Sequence, residues 1–194
     1  MKKLYLVLFA LIFLGIGTYK LNAQDMTNKM ADKTQPLLVK LVANDLMETG
    51  KKVISLAEAM PESDYSWRPE KGVRSVSEVY VHLAASNYFF FSYLGMEKPK
   101  DFQKGSENEN LEKTMTKKED IVKFLKKSFD DTQKFLANYN PADFNTKVKL
   151  PFGEFTVAQV LMLAATHPHE HLGQSIAYAR TNHITPPWSL PKKK

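Results

Sequence analysis

Four segments of the chain repeat apolar residues at the spacing of an α-helix, and this pattern constrains the fold more than any other feature. The segments cover about 35–60, 75–94, 116–137 and 156–181. In each of them apolar residues recur every three or four positions, which places them on one face of a helix. A short alternating stretch before the last segment predicts an extended turn or hairpin. We therefore predict an all-α four-helix bundle.

Local signals mark where three of these helices begin. A hydroxyl residue followed three positions later by Glu or Gln forms a capping box, in which each side chain bonds the backbone N–H of the other residue. The three pairs are Ser75 with Glu78, Thr116 with Glu119, and Thr156 with Gln159. Between the second and third helices, residues 97–114 are polar and carry few large apolar side chains. They predict a long, exposed connection.

The N-terminus has the parts of a secretory signal peptide. A Met-Lys-Lys start precedes the uncharged stretch 4–19, and the small residue Ala23 stands before a polar boundary. The stretch is shorter than the roughly 20 apolar residues that a transmembrane helix needs. We predict that 1–23 are a signal peptide and that 24–194 form an exported domain, periplasmic or extracellular, without a stable membrane anchor. An uncleaved N-terminal anchor is the alternative.

Composition excludes several classes of protein. The segment 1–23 holds three lysines and no acidic residue, so its removal lowers the formal net charge from +6 to +3. This small net charge, without a basic stripe interleaved with aromatic residues, argues against a nucleic-acid partner. The absence of cysteine excludes disulfides, thiolate metal sites and a cysteine nucleophile, so a transition-metal site would use histidines and carboxylates. The sequence leaves association into a homodimer open.

The histidines have the spacing of a metal site on helices. His167 and His171 are four residues apart and share one helical face, whereas His169 points about 200° away from His167. His82, in the middle of the second helix, could reach the same depth. Three imidazoles would leave a coordination position open for water or substrate. The alternative is a set of surface or hydrogen-bonded histidines, and Pro168 predicts a kink or bulge inside the pair.

Two parts of the sequence carry a family pattern. One is 67–78, WRPEKGVRSVSE, with His82 after it, and the other is 167–174, HPHEHLGQ, with IAYAR and TPPWS following. Together they resemble the segments around the second and last helices of the DinB/YfiT-like superfamily, and the resemblance spans roughly residues 30–190. It implies a four-helix bundle that holds a divalent metal ion on three histidines. These map to His82, His167 and His171.

Three further residues near the histidines are candidates for contacting the imidazoles rather than the metal, namely His169, Glu170 and Gln174. No catalytic residue is assigned. Zinc and nickel are the leading metals, although three histidines also suit copper and iron(II). We predict an exported metal-binding protein that acts as a metal-dependent hydrolase or transferase on a small molecule. The alternatives are a non-enzymatic metal- or ligand-binding stress protein and a degenerate bundle without metal.

Overall fold

The computed structural model describes residues 23–99 and 107–191. By its internal contacts the chain separates into Met1–Thr34 and Gln35–Lys194, and the second unit contains every side chain discussed below. The predicted signal peptide falls almost wholly on 1–22, outside the described residues. Among the helices that are described, none combines the length and the apolar character that spanning a bilayer requires.

Five α-helices and one hairpin follow one another within the described residues. They are α1 (Ala23–Ala59), α2 (Val76–Ser92), α3 (Glu107–Thr114), α4 (Lys118–Asn138), β1 (Lys147–Leu150), β2 (Gly153–Thr156) and α5 (Val157–Thr181). The four long helices are those that the apolar spacing predicts, so the four-helix bundle is confirmed. Helix α1 begins at Ala23, well before the predicted position 35, because the mostly polar sequence before that position shows no helical period.

Helix α2 occupies the centre of the fold. Nearly all of its residues are buried, and side chains such as Val79, Leu83 and Phe91 have no exposed surface. Its contacts with α3, α4 and α5 surround it. Because a helix that is apolar or small on all faces must be buried, this arrangement follows from the sequence of α2. A polar side chain on α2 is therefore held in a largely dry environment.

Helices α1 and α4 pack closely because α1 carries a glycine at their contact. A Cβ atom on Gly50 would lie 2.8 Å from Cδ1 of Phe129, closer than packed carbon atoms allow. The Gln133 side chain of α4 also donates a hydrogen bond to the Ala43 carbonyl of α1, at 2.9 Å. The close contact anchors α1, whose residues 45–49 also reach α5.

Two of the three predicted capping boxes are confirmed. Ser75 accepts a hydrogen bond from the Glu78 N–H at 3.3 Å, and its own N–H donates to Glu78 Oε2 at 2.7 Å. Thr156 and Gln159 form the same reciprocal pair, at 3.2 and 2.8 Å. These caps set the starting residues of α2 and α5.

The third predicted cap is wrong. Helix α4 begins at Lys118, and its capping residue Lys117 makes no side-chain hydrogen bond. Because the helix begins one residue later than the box requires, Thr116 does not stand at the capping position.

The connection 97–114 also differs from the prediction of a wholly exposed segment. Its last part forms α3, which packs on α2, and Glu112 of α3 is buried. The periodicity does not reveal this helix, because its only apolar residue, Leu111, is too little to define an apolar face.

A hairpin leads into α5. Strands β1 and β2 are antiparallel, with Lys147 opposite Thr156 and Leu150 opposite Gly153, as the alternation predicts. Helix α5 then continues as an α-helix from Val157 to Thr181 with Pro168 inside it, so no bulge interrupts this described segment, whereas the predicted kink stays a prediction. His167 and His171, on either side of Pro168 and four residues apart, still have neighbouring rings, with centroids 4.5 Å apart.

Candidate metal centre

The structure brings His82, His167 and His171 together. His82 extends from α2, and the other two extend from consecutive turns of α5. One ring nitrogen of each lies within 4.8 Å of the corresponding nitrogen of the others. The ring centroids are 5.2 Å apart for His82 and His167, 4.7 Å for His82 and His171, and 4.5 Å for His167 and His171. Three imidazoles thus converge on one small volume.

His82 is oriented by a carboxylate from α3. Its Nδ1 donates to Oε1 of Glu112 at 2.9 Å, and Arg74 binds both oxygens of the same carboxylate, with Nε 2.8 Å from Oε2. Burial alone would raise the pKa of Glu112, but the hydrogen bonds from His82 and Arg74 outweigh burial and lower it below 4.5. The carboxylate is therefore charged and accepts the Nδ1 proton, which leaves Nε2 of His82 as the nitrogen that can bind a metal.

His171 is oriented in the same way by an amide. Its Nδ1 donates to Oε1 of Gln174 at 2.9 Å. The Gln174 Nε2 donates to the Tyr178 hydroxyl at 2.9 Å, and that hydroxyl donates to the Arg74 carbonyl at 3.0 Å. This chain fixes the orientation of the amide and with it the tautomer of His171, so its Nε2 is also left with a lone pair.

The environment of His167 shows whether these residues could bind a metal ion. Its Nε2 is buried and has no hydrogen-bond partner among the described residues. Burial first, and then the positive charge of neighbouring side chains, lowers the pKa of His167 from 6.5 to about 3. Burial also lowers the pKa of His171, against the opposing effect of its bond to Gln174. Neutral imidazole is the form that binds metal, so this donor set fits a divalent ion.

The other candidates occupy different positions. Gln174 bonds His171, as described. The Glu170 carboxylate lies 4.0 Å from Nδ1 of His167, beyond hydrogen-bond distance, and is 75% exposed. His169 points away from the cluster: its Nε2 lies 2.9 Å from Oδ2 of Asp45 and 3.0 Å from Oγ1 of Thr49, both on α1. His169 thus joins α5 to α1 instead of contacting the three clustered imidazoles.

A cavity of about 670 Å³ adjoins the residues that orient the histidines, although none of the three histidines lines it. Its lining includes Arg74, Glu112 and Gln174, the residues whose hydrogen bonds orient His82 and His171. Cavities of this size accommodate small organic molecules. The side chains of His82 and His167 are 18% and 20% exposed, although Nε2 of His167 is itself buried.

The sequence indicated Gln174, but it did not indicate the other residues that orient the histidines. Glu112 lies in a polar stretch without periodicity, 30 positions from His82. Arg74 belongs to the segment that carries the family pattern, but its spacing to the histidines is not regular. For Tyr178 a signal did exist, because it follows Gln174 by four residues and therefore shares its helical face.

A family model agrees with these observations. The model of the DinB superfamily matches residues 46–175, which include all three histidines. No curated protein matches the chain significantly.

Three solved structures of Bacillus proteins have a similar fold at low sequence identity. YfiT from Bacillus subtilis, described as a probable metal-dependent hydrolase with an unusual four-helix bundle topology, is 17% identical with a TM-score of 0.61, and the match covers 76% of this chain and 89% of YfiT. A DinB-like protein from Bacillus cereus is 15% identical with a TM-score of 0.60, over 72% of this chain and 89% of that one. The DinB-like protein YjoA from Bacillus subtilis is 18% identical with a TM-score of 0.57, over 78% and 96%.

Proposed function

The chain belongs to the DinB superfamily, and on that basis we propose that it is a divalent-metal-dependent hydrolase of small molecules. The metal would be held by His82, His167 and His171. The description of the structural neighbour YfiT as a probable metal-dependent hydrolase supports the reaction class.

The observation that carries this proposal is the buried, unpartnered Nε2 of His167. A buried polar atom without a partner costs free energy, and such atoms are rare in folded proteins. Two further imidazoles face the same volume with their Nδ1 atoms already bonded. A divalent cation at this point would satisfy all three nitrogens together.

The residues of the chain prepare the centre by controlling protons. Glu112 keeps a proton on Nδ1 of His82, and Gln174 keeps one on Nδ1 of His171, so each Nε2 presents a lone pair. Burial keeps His167 neutral. A divalent ion on three imidazoles supplies Lewis acidity that activates water near neutral pH and polarises a carbonyl or phosphoryl oxygen. The adjoining cavity would hold the substrate, and its volume supports a small molecule.

Metal analysis and hydrolysis assays test the proposal. Protein purified without chelators is expected to contain about one divalent ion per chain, zinc or nickel first among the candidates, and to hydrolyse members of a panel of small amides, esters and phosphoesters. Chelation and His171→Ala should both abolish hydrolysis. Metal binding without turnover would instead support the non-enzymatic metal-binding protein. Absence of any bound divalent metal would contradict the proposal and favour a degenerate bundle.

We also propose that the protein is exported after loss of 1–23. The basic start, the short apolar stretch and the boundary at Ala23 support this. N-terminal sequencing of the protein from the periplasmic or extracellular fraction should begin within a few residues of Gln24. A protein that retains Met1 and sediments with membranes would contradict export and support an uncleaved anchor.

A further inference from the structure

Glu112 is the one charged residue that is buried among the described residues, at 7% exposure. Its helix α3 is mostly polar and contains a single apolar residue, Leu111, which packs half-buried against the core. Burying a charge is costly unless it is paired and hydrogen-bonded. The hydrogen-bond partners of Glu112 therefore indicate the role of this buried carboxylate.

The carboxylate of Glu112 is held from two sides. Oε1 accepts from Nδ1 of His82 at 2.9 Å, while Arg74 donates from Nε to Oε2 at 2.8 Å and from Nη2 to Oε1 at 3.3 Å. The two-pronged contact with Arg74 restricts rotation of the carboxylate. The position of Oε1 of Glu112, which accepts the hydrogen bond from His82, is therefore fixed.

Arg74 joins this contact to the second oriented histidine. Its carbonyl accepts from the Tyr178 hydroxyl, the last member of the chain that leads from His171 through Gln174. The hydrogen bonds that orient a histidine on α2 and a histidine on α5 thus converge on one residue. Because both sets of hydrogen bonds meet at Arg74, they would fix the orientations of the two imidazoles relative to each other.

We propose that Glu112 is a positioning residue for the metal centre, which fixes His82 with its proton on Nδ1 and its lone pair on Nε2. The inference rests on the proposed metal function and extends it to α3. A carboxylate behind a ligating histidine both orients the ring and raises its basicity, and loss of such a partner weakens metal binding about 10- to 100-fold. The competing explanation is an ion pair that merely attaches α3 to the bundle.

The test compares two changes of Glu112 in the full chain. Glu112→Gln keeps an oxygen acceptor and removes the charge, whereas Glu112→Met removes both. Competition with a chromophoric chelator is expected to show Zn²⁺ affinity about 10-fold weaker for Glu112→Gln and up to about 100-fold weaker for Glu112→Met. The matched control is Glu170→Gln, an exposed carboxylate beside His167, which should stay within about threefold of the wild type.

A spectroscopic measurement separates positioning from attachment. Long-range ¹H–¹⁵N NMR of the apo wild type should show the His82 proton on Nδ1, and Glu112→Met should abolish that preference. If a single change leaves Arg74 unpaired and the chain unfolded, the double change Arg74→Gln, Glu112→Gln removes both charges of the pair and takes the same two measurements.

The outcomes distinguish this inference from the proposed function. Weaker Zn²⁺ binding together with loss of the Nδ1 tautomer supports it. Unchanged affinity in Glu112→Met, or weaker affinity with the tautomer unchanged, overturns it while leaving the metal function standing. A wild-type protein that binds neither Zn²⁺ nor another divalent ion overturns both.

Discussion

Helix α5 carries histidines on two faces that differ in which ring nitrogen is free. On the face toward α2, Nδ1 of His171 is bonded to Gln174, and Nε2 of His167 is buried without a partner among the described residues. On the face toward α1, Nε2 of His169 is itself bonded to Asp45 and Thr49, and the side chain is 51% exposed. Three histidines within five positions thus perform two different tasks.

The difference shows that the hydrogen bonds to each ring, rather than the residue type, determine whether an imidazole nitrogen is available to bind a metal. A histidine whose Nδ1 donates to a fixed acceptor keeps a lone pair on Nε2 for a metal. A histidine whose Nε2 faces a carboxylate and a hydroxyl is engaged in holding two helices together. The four predictions below test this contrast, from the largest expected effect to the smallest.

Removing one histidine from each face should affect metal binding very differently. His171→Ala is expected to weaken Zn²⁺ affinity more than about 100-fold, because loss of a ligand costs more than loss of an outer partner. His169→Ala should stay within about threefold of the wild type, since its Nε2 is bonded to α1. Chelator competition measures both. Equal losses would show that the two faces act as one site.

Metal should stabilise the fold through the α2-facing cluster alone. Binding at a hundredfold excess over Kd adds about 2.7 kcal/mol, or roughly 5–10 °C in Tm for a domain of this size. The increment should vanish in His167→Ala and persist in His169→Ala, and the chelated wild type should still melt cooperatively because its apolar core remains. A zinc-dependent increment that survives in His167→Ala would place the binding elsewhere.

Without metal, the buried face should make stability depend on pH. The pKa of His167 is lowered to about 3 in the folded state, against about 6.5 in the unfolded chain. The unfolded state therefore takes up a proton below pH 6.5, and stability falls as the pH decreases from 6.5 toward 3, by up to about 1.4 kcal/mol per pH unit.

Denaturant unfolding in chelator at pH 7.5, 6.5 and 5.5 measures this dependence. His167→Gln should flatten the slope. The control Met162→Gln, at an exposed position of the same helix, should retain it. A slope that is identical in all three proteins would exclude His167 as its source.

The smallest effect should come from the α1-facing contact. Thr49→Val keeps the shape of a buried side chain and removes its hydrogen bond to His169, which should lower the free energy of unfolding by about 0.5–1 kcal/mol. Zn²⁺ affinity should be unchanged. Thermal melting measures the stability and chelator competition measures the affinity. A loss of Zn²⁺ affinity in Thr49→Val would show that the α1-facing contact influences the metal centre.

Much of the fold could be predicted from the sequence, because the long helices and two of their starts depend on residues close together in the chain. Apolar spacing predicted the four long helices, and reciprocal hydroxyl and carboxyl or amide pairs predicted the starts of α2 and α5. Helix α3 escaped prediction because it lacks an apolar stripe: it contacts the core through the single apolar residue Leu111, and its neighbour Glu112 is a buried charge. The predicted box at Thr116 is wrong because α4 begins one residue later. Boundaries depend on tertiary contacts that a local pattern does not record.

The candidate site likewise has some features that the sequence predicts and others that depend on tertiary packing. Helical geometry by itself determined that His167 and His171 share a face and that His169 points elsewhere, since four residues are close to one helical turn and two are about half a turn. Helical geometry did not pair His82 with His167 and His171; the family resemblance predicted that pairing, and the structure brings the three together. Only the tertiary structure decided that Glu112 and Arg74 stand behind His82 and that Asp45 and Thr49 engage His169. These contacts join positions 30 or more residues apart along the chain. Their partners are chosen by how the helices pack, and a polar side chain carries no periodicity from which that packing could be inferred.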